Sequence, residues 1–219
     1  MTQVWYTSDT HFRHAKVAAL RGFSSVEEHD EAVIRRWNEV VEKGDVVWHL
    51  GDFAMGGKVD GVDGLRRIAW RLNGTKHLIT GNHDAPWPGH KDAWKHQWRW
   101  NDMFSSVQAF GRRQIDGRNV LLSHFPYIGD HTPEDRHTQF RLRDEGLWLL
   151  HGHTHDATRL GPYRLRTATV GSETPEWRGL QIHVGLDAWD LRPVAEQDVL
   201  ALIRDHEASG TVGSGIGFG

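Results

Sequence analysis

The 219-residue chain contains no cysteine. Disulfide bonds and thiolate metal sites are therefore excluded, and the composition fits a reducing cytoplasm, where we expect the protein to act. No apolar run approaches the ~18 residues that a membrane-spanning helix needs, and no apolar leader precedes Asp9, so we expect neither a membrane partner nor a secretory signal. The formal net charge of −3 argues against a surface dominated by nucleic-acid binding.

Two residue types are in excess, with 16 histidines and 11 tryptophans. Many of the histidines directly follow short apolar segments, which favours metal or phosphate chemistry. Predicted strands alternate with predicted helices, such as the helix that a capping box opens at Ser25, and this order is typical of an α/β domain with parallel pairing. The length suits one domain, placed at residues 1–207, followed by a Gly/Ser-rich tail at 208–219 that we expect to be flexible.

Five predicted strands end in a turn that carries aspartate or histidine. The central one, residues 78–84, ends in Gly81-Asn82-His83-Asp84, which presents an amide, an imidazole and a carboxylate. Residues two apart in an extended segment face the same side, so the pair at 9 and 11 and the pair at 153 and 155 can each face a metal. We predict that the five turns meet at one edge of a sheet and hold two metal ions.

Two cations held ~3.5–4 Å apart can bind a phosphoryl group and polarise a shared water. Such a pair needs a bridging carboxylate, and Asp52 is the natural candidate because it stands alone after a glycine at a strand end. For His14, metal ligation and a supporting or solvent-exposed role are equally open, whereas His151 is better interpreted as a packed or supporting histidine. His153 and His155 are the late pair of histidines, and each is predicted to bind one metal. Asp9, His11 and one of this pair would bind the first metal. Asn82, His124 and the other would bind the second.

Taken together, these blocks resemble the five signature blocks of the calcineurin-like metallophosphoesterases and follow that family's order over residues 4–155. They are Asp9-x-His11, Gly51-Asp52, Gly81-Asn82-His83-Asp84, His124 and Gly152-His153-x-His155. The resemblance implies the metallo-dependent phosphatase fold, a four-layer αββα sandwich of two mixed sheets flanked by helices. It also implies two divalent cations at the strand ends. Imidazole, carboxylate and amide ligands without sulfur suit manganese, our first expectation, and also iron, zinc or nickel.

The resemblance further implies in-line attack by a metal-bridging hydroxide, with His83 protonating the leaving oxygen. Asn82 and His83 are expected to contact the phosphoryl oxygens. We expect Asp84 to orient the imidazole of His83, with capping of the turn as the alternative.

The flanking segments resemble compact phage and bacterial members of the family, several of which hydrolyse generic diesters and 2′,3′-cyclic nucleotides. We therefore predict a phosphodiesterase that acts on a small phosphoester, of nucleotide type. The alternative enzyme is a nucleotide diphosphatase or phosphomonoesterase, and the alternative of another class is a non-catalytic binding module. The sequence does not indicate an oligomeric state.

Three further segments lie outside the five blocks, and two of them have alternative interpretations. The insert at 85–104, with Trp94, Trp98 and Trp100, either packs onto the domain as a satellite cluster or forms a stacking platform beside the site. The polar region 126–145 either is a solvated loop or faces the substrate phosphate. Asp116-Gly117 predicts a hairpin between strands at 107–115 and 118–123.

Overall fold

A computed structural model describes residues 2–56, 61–161 and 180–209 of the chain. Its short strands are rich in β-branched, aromatic and leucine side chains, which suit the interior of a sheet. In chain order the described strands are β1 (Val4–Thr7), β2 (Val46–His49), β3 (Thr75–Ile79), β4 (Ser106–Gln108), β5 (Gly111–Ile115), β6 (Arg118–Leu122), β7 (Trp148–His151), β8 (Leu160–Gly161), β9 (Gln181–His183) and β10 (Val194–Ala195).

The strands form two five-stranded mixed sheets. The first has the order β10-β1-β2-β3-β4, and the second has the order β5-β6-β7-β9-β8. Neighbours β1 to β4 run parallel, as do β6, β7 and β9, so the carboxyl ends of these strands lie at matching edges. The predicted α/β class with two mixed sheets and flanking helices is confirmed.

The longest described helix begins at a side-chain cap. Ser25 opens the longest helix, its Oγ accepting a hydrogen bond from the backbone N–H of Glu28 at 3.1 Å. Trp37 of that helix is fully buried, and its Nε1 donates to the carbonyl of Asn73 at 3.0 Å. The α-helices are α1 (Ala15–Leu20), α2 (Val26–Val40), α3 (Val62–Arg71), α4 (Gln97–Trp100) and α5 (Glu196–Ala208).

Two clusters of buried apolar side chains hold the sheets and helices together. One packs α2 and α3 against the first sheet through residues such as Val33 and Leu65. The other joins the inner faces of both sheets, for example Leu50 with Leu150, and includes Ile203 of α5. Within the described ranges no helix is long and apolar enough to cross a bilayer. Of the predicted tail, residues 210–219 lie outside the described ranges.

The hairpin at Asp116-Gly117 is confirmed, but the strand predicted at 107–115 is wrong as one element. Its first part, β4, pairs with β3 in the first sheet, whereas β5 pairs with β6 in the second. The chain changes sheets at Ala109 and Phe110. This switch has no signal in the local pattern, because either half alone reads as a strand.

The tryptophan insert divides between core and surface. Trp100 is fully buried within the first apolar cluster. Trp94 and Trp98 are 73% and 58% exposed, so these two rings do not pack onto the domain as the satellite-cluster alternative expected. Their rings instead lie beneath cationic groups, with the Arg99 guanidinium 4.3 Å from the ring centroid of Trp98.

Candidate metal centre

The five predicted turns converge where the carboxyl ends of β1, β2 and β3 face those of β6 and β7. Backbone hydrogen bonds join the turns directly: the N–H of Asp9 donates to Gly51 at 2.9 Å, and the N–H of His11 donates to Asp52 at 3.0 Å. Across the sheets, the N–H of His153 donates to Asp9 Oδ2 at 3.0 Å. Segments distant in sequence are therefore held together before any ligand is considered.

Five of the predicted ligands have a left-handed backbone conformation, with φ between 47° and 71°. For residues other than glycine this region costs about 1–3 kcal/mol each, and such residues cluster at functional sites. The surrounding hydrogen bonds hold these turns so that their side chains point inward. The five are Asp9, His11, Asp52, His153 and His155.

One group of possible ligands consists of Asp9, His11 and His155. Asp9 Oδ1 lies 3.7 Å from His11 Nε2 and 3.9 Å from His155 Nε2. The two imidazole nitrogens are 3.2 Å apart. One ligand atom from each residue lies within 4.8 Å of the others, which is the spacing that a single cation can bridge.

A second group consists of Asp52, His124 and His153, whose ligand atoms also lie within 4.8 Å of one another. Asp52 Oδ2 is 3.4 Å from His124 Nε2, and it is also 3.7 Å from His11 Nε2 in the first group. Asn82 lines the same cavity. The structure thus brings all seven predicted ligands to one place, with Asp52 between the two groups.

The donor atoms fit divalent cations. Buried polar atoms normally have hydrogen-bond partners. Among the described residues, however, Asp9 Oδ1, Asn82 Oδ1 and His124 Nε2 are buried without one. His124 Nδ1 lies 2.8 Å from the carbonyl of Leu50 and donates to it, so in the neutral imidazole Nε2 keeps its lone pair for a ligand. Oxygen and imidazole donors without sulfur match the metals expected from the sequence.

The electrostatics of the centre favour positive charge. Burial opposes ionisation of Asp52, but the neighbouring imidazoles of His124 and His11 outweigh it and hold the pKa of this carboxyl below its ordinary value. Burial likewise opposes protonation of His124, but Asp52 outweighs it and raises the pKa of His124 from 6.5 to about 9. A group of buried carboxylates that keeps a histidine protonated to this extent stabilises a cation in the same place.

Comparison with known proteins agrees with this geometry. Residues 3–186 match the family model of the calcineurin-like phosphoesterase superfamily domain. The chain belongs to this superfamily. The family implies divalent metal ions, and the chain is a metal-dependent phosphoester hydrolase.

Two curated relatives are phage proteins. The chain is 47% identical to the Gene 66 protein of Mycobacterium phage D29 over 215 residues, which cover 94% of this chain and 98% of that protein. It is 40% identical to the Gene 66 protein of Mycobacterium phage L5 over 219 residues, covering 96% and 99%. A crystal structure of a protein of unknown function from Aquifex aeolicus has the same fold, with a TM-score of 0.64, 22% identity and coverage of 92% and 100%.

In this phosphoesterase, the hydrogen bonds of Asp84 differ from the pairing predicted with His83. The buried carboxylate accepts hydrogen bonds from the backbone N–H groups of Gly81 at 2.8 Å, Phe53 at 2.9 Å and Asp52 at 3.0 Å. Burial and the charge of Asp52 raise the pKa of Asp84 to about 7. These contacts agree better with the alternative that Asp84 caps the turn. Asp84 also does more than cap its own turn, because it ties the turn after β3 to the turn after β2.

His83 faces a cavity of about 760 Å³ beside the ligand groups. Its side chain is 35% exposed, and its Nε2 lies 3.9 Å from Asp52 Oδ2. Its backbone N–H donates to Asp52 Oδ1 at 2.8 Å, which fixes the turn against the carboxylate. His14 also lines the cavity, and its Nδ1 accepts from the N–H of Val17 at 3.3 Å. His14 also forms a possible metal group with His11 and His83, whose ligand atoms lie within 4.8 Å of one another, so both interpretations of His14 stay open.

Arg136 lines the cavity, which agrees with the alternative that the region 126–145 faces the substrate. Sequence reasoning missed other residues of the site, among them Asp130, which lines the same cavity. Asp187 follows β9 after Gly185, the same strand-and-turn pattern as the predicted ligands, and this signal could have identified it. Arg21, at the end of α1, carries no such signal.

His151 is fully buried, and its Nδ1 lies 2.8 Å from the carbonyl of Gly152. It lies in none of the possible metal groups among the described residues. The interpretation of His151 as a packed histidine agrees with this placement.

Proposed function

We propose that the protein is a phosphodiesterase with a dinuclear metal centre, in which manganese is the expected metal and iron, zinc or nickel are alternatives. The observation that carries the proposal is the position of Asp52, whose Oδ2 lies 3.4 Å from a nitrogen of one ligand group and 3.7 Å from a nitrogen of the other. A shared carboxylate offsets the repulsion between two cations and so permits them to bind side by side. The cytoplasmic location stays a prediction.

The seven ligands would be divided between the two cations according to the two groups that the geometry forms. Asp9, His11 and His155 would hold one cation, and His124, His153 and Asn82 the other, with Asp52 between them. When bound, two such cations lower the pKa of water toward ~7 and stabilise negative charge on a phosphoryl group.

The chain's own side chains would do the rest of the chemistry. The amide of Asn82 and the imidazole of His83 line the cavity and would contact the phosphoryl oxygens. His83, which is partly exposed there, would give its proton to the leaving oxygen. Asp84 would act on this step indirectly, because it holds the turn that carries His83 against Asp52.

The substrate is proposed to be a small phosphodiester of nucleotide type, such as a 2′,3′-cyclic nucleotide. A cavity of about 760 Å³ suits a ligand of this size. The net charge of −3 does not favour a dedicated nuclease.

A substrate panel tests the proposal. Purified protein with added Mn²⁺ would be assayed with bis(p-nitrophenyl) phosphate, p-nitrophenyl phosphate, 2′,3′-cyclic AMP and a dinucleoside polyphosphate. We expect the two diesters to be turned over fastest. Faster turnover of the monoester or of the polyphosphate would reject the diesterase in favour of a monoesterase or a diphosphatase, and no turnover with bound metal would favour a binding module.

Metal stoichiometry tests the dinuclear centre. Asp52→Asn should lower bound Mn²⁺ below two ions per chain, because the amide removes the shared charge. Asp205→Asn, an exposed aspartate on α5, is the matched control and should bind as the wild type does. Full metal content in Asp52→Asn would defeat the bridging role.

A further inference from the structure

Each of the two late histidines contacts an aspartate that is itself held by an arginine. His155 Nδ1 lies 2.8 Å from Asp187 Oδ2 and donates to it. Arg21 holds the same carboxylate with two hydrogen bonds, from Nε to Oδ1 at 2.8 Å and from Nη2 to Oδ2 at 2.9 Å. This chain of contacts is well shielded, since the side chains of Arg21 and Asp187 are 5% and 20% exposed.

Arg21 also reaches the other end of the same ligand group. Its Nη2 donates to the carbonyl of Asp9 at 2.8 Å, and its Nη1 donates to the carbonyl of Thr10 at 3.4 Å. Arg21 therefore ties together Asp9, which follows β1, and His155, which follows β7. One guanidinium thus orients two possible ligands of one cation across the two sheets.

The second late histidine has a similar arrangement. His153 Nε2 lies 3.2 Å from Asp130 Oδ2. Arg136 holds Asp130 through Nη2 to Oδ1 at 2.8 Å and Nε to Oδ2 at 3.2 Å. The Asp130 side chain is 1% exposed, but that of Arg136 is 40% exposed, so this pair is closer to solvent than the first.

These contacts determine which imidazole nitrogen is available for a cation. An imidazole whose outer N–H donates to a carboxylate is fixed in tautomer and orientation, and its other nitrogen becomes a stronger ligand. For His155 the other nitrogen is Nε2, which faces Asp9 Oδ1 at 3.9 Å. For His153 the contact with Asp130 leaves Nδ1 as the nitrogen for the group of Asp52 and His124.

We propose that Asp187 and Asp130 are the positioning residues of the two metal sites, one for each site. The Arg21–Asp187 pair sets the affinity of the site formed by Asp9, His11 and His155, and the Arg136–Asp130 pair sets that of the other. The proposal rests on the proposed dinuclear function. Loss of such a supporting carboxylate typically weakens metal binding about 10–100-fold. The shielded pair should lie near the upper end of this range and the exposed pair near the lower end.

Calorimetric titration of the full chain with Mn²⁺ tests the inference, alongside the melting temperature of each metal-free variant. Asp187→Asn should weaken one of the two binding events and leave the other, and Asp130→Asn should do the converse. Asp63→Asn is the matched control, because Asp63 also pairs with an arginine, Arg66, at 2.8 Å but on the exposed surface of α3. It should leave both events unchanged.

Combining each substitution with Asp9→Asn shows which of the two metal sites each aspartate supports. Asp130→Asn should weaken the remaining event in that background, whereas Asp187→Asn should add nothing, because its site is already lost. Arg21→Lys keeps the charge but loses the two-pronged contact, so it should give part of the Asp187→Asn loss. If Asp187→Asn does not fold, Arg21→Lys tests the same pair of residues.

Three results would overturn the inference. Unchanged Mn²⁺ affinity in folded Asp187→Asn and Asp130→Asn would show that the aspartates do not act on the metals. Equal weakening of both events in each variant, together with a lower melting temperature, would show a merely structural role. Binding of fewer than two ions by the wild type would refute the proposed function first, and the inference with it.

Discussion

Substituting Gly81 by alanine should disturb the metal centre without adding a polar or charged group. A Cβ at this position would lie 2.5 Å from the backbone nitrogen of Asp52 and 2.3 Å from its Oδ1. It would also lie 2.9 Å from Cε1 of His124. Real Cβ atoms essentially never come closer than 3.0 Å, so the two turns must separate by at least 3.0 minus 2.5, or 0.5 Å. Rotation of a side chain cannot relieve a clash with a backbone atom.

The expected cost follows from this displacement. Overpacking of a well-packed site typically costs about 1–3 kcal/mol, which urea unfolding of the metal-free protein would measure. A misplacement of about 1 Å can cost about 100-fold in rate, so a shift of half that size should lower diester turnover about tenfold or more. Because Asp52 is displaced, Mn²⁺ binding should weaken in parallel.

Gly44→Ala is the matched control. A Cβ at Gly44 meets nothing within 4 Å, and this glycine has no left-handed φ. The control should keep wild-type stability, Mn²⁺ affinity and turnover. If Gly81→Ala also kept wild-type affinity and turnover, the close approach of the two turns would not matter for the site, and our account of it would fail.

Asp84→Asn should lower the free energy of unfolding by about 1–3 kcal/mol, because an amide cannot accept all three backbone hydrogen bonds; an unchanged urea midpoint would contradict this. Since the pKa of His124 is raised from 6.5 to about 9, its contribution to the stability of the metal-free protein is present below pH 6.5 and lost as pH rises to about 9. Mn²⁺ affinity should rise over the same interval, because the ion displaces that proton, and a pH-independent titration would refute the coupling. His83→Ala should keep both ions yet lose about 10²–10⁴-fold with a poor leaving group and less with nitrophenol, whereas equal losses would remove its acid role.

The strand-end turns were predictable because their signal is local. An apolar segment followed by glycine and a polar residue is visible within six residues, as at Leu50-Gly51-Asp52. Parallel strands then bring such turns to one edge, so Asp52 and Asn82 could be expected together without knowledge of the packing. The capped start of α2 at Ser25 was predictable for the same reason.

The supporting contacts could not be predicted, because they join residues that are far apart in sequence. Arg21 and Asp187 are separated by 166 positions, and the sequence around either residue does not indicate that it contacts the other. The role of Asp84 depends on backbone N–H groups more than 30 positions away, whereas its neighbour His83 suggested a side-chain pair. Local sequence indicates which groups reach the site, but the tertiary fold decides what each group contacts.

The division of the site between two sheets has a consequence for the cohesion of the molecule. Aspartates 9 and 52 and Asn82 follow strands of the first sheet, while histidines 124, 153 and 155 follow strands of the second. His11 also follows a strand of the first sheet, so each proposed ion would link ligands of the first sheet to imidazoles of the second. Removal of the proposed ions would therefore break links between the two sheets as well as abolish activity, and the metal-free protein should be less rigid where the strand ends of the two sheets meet.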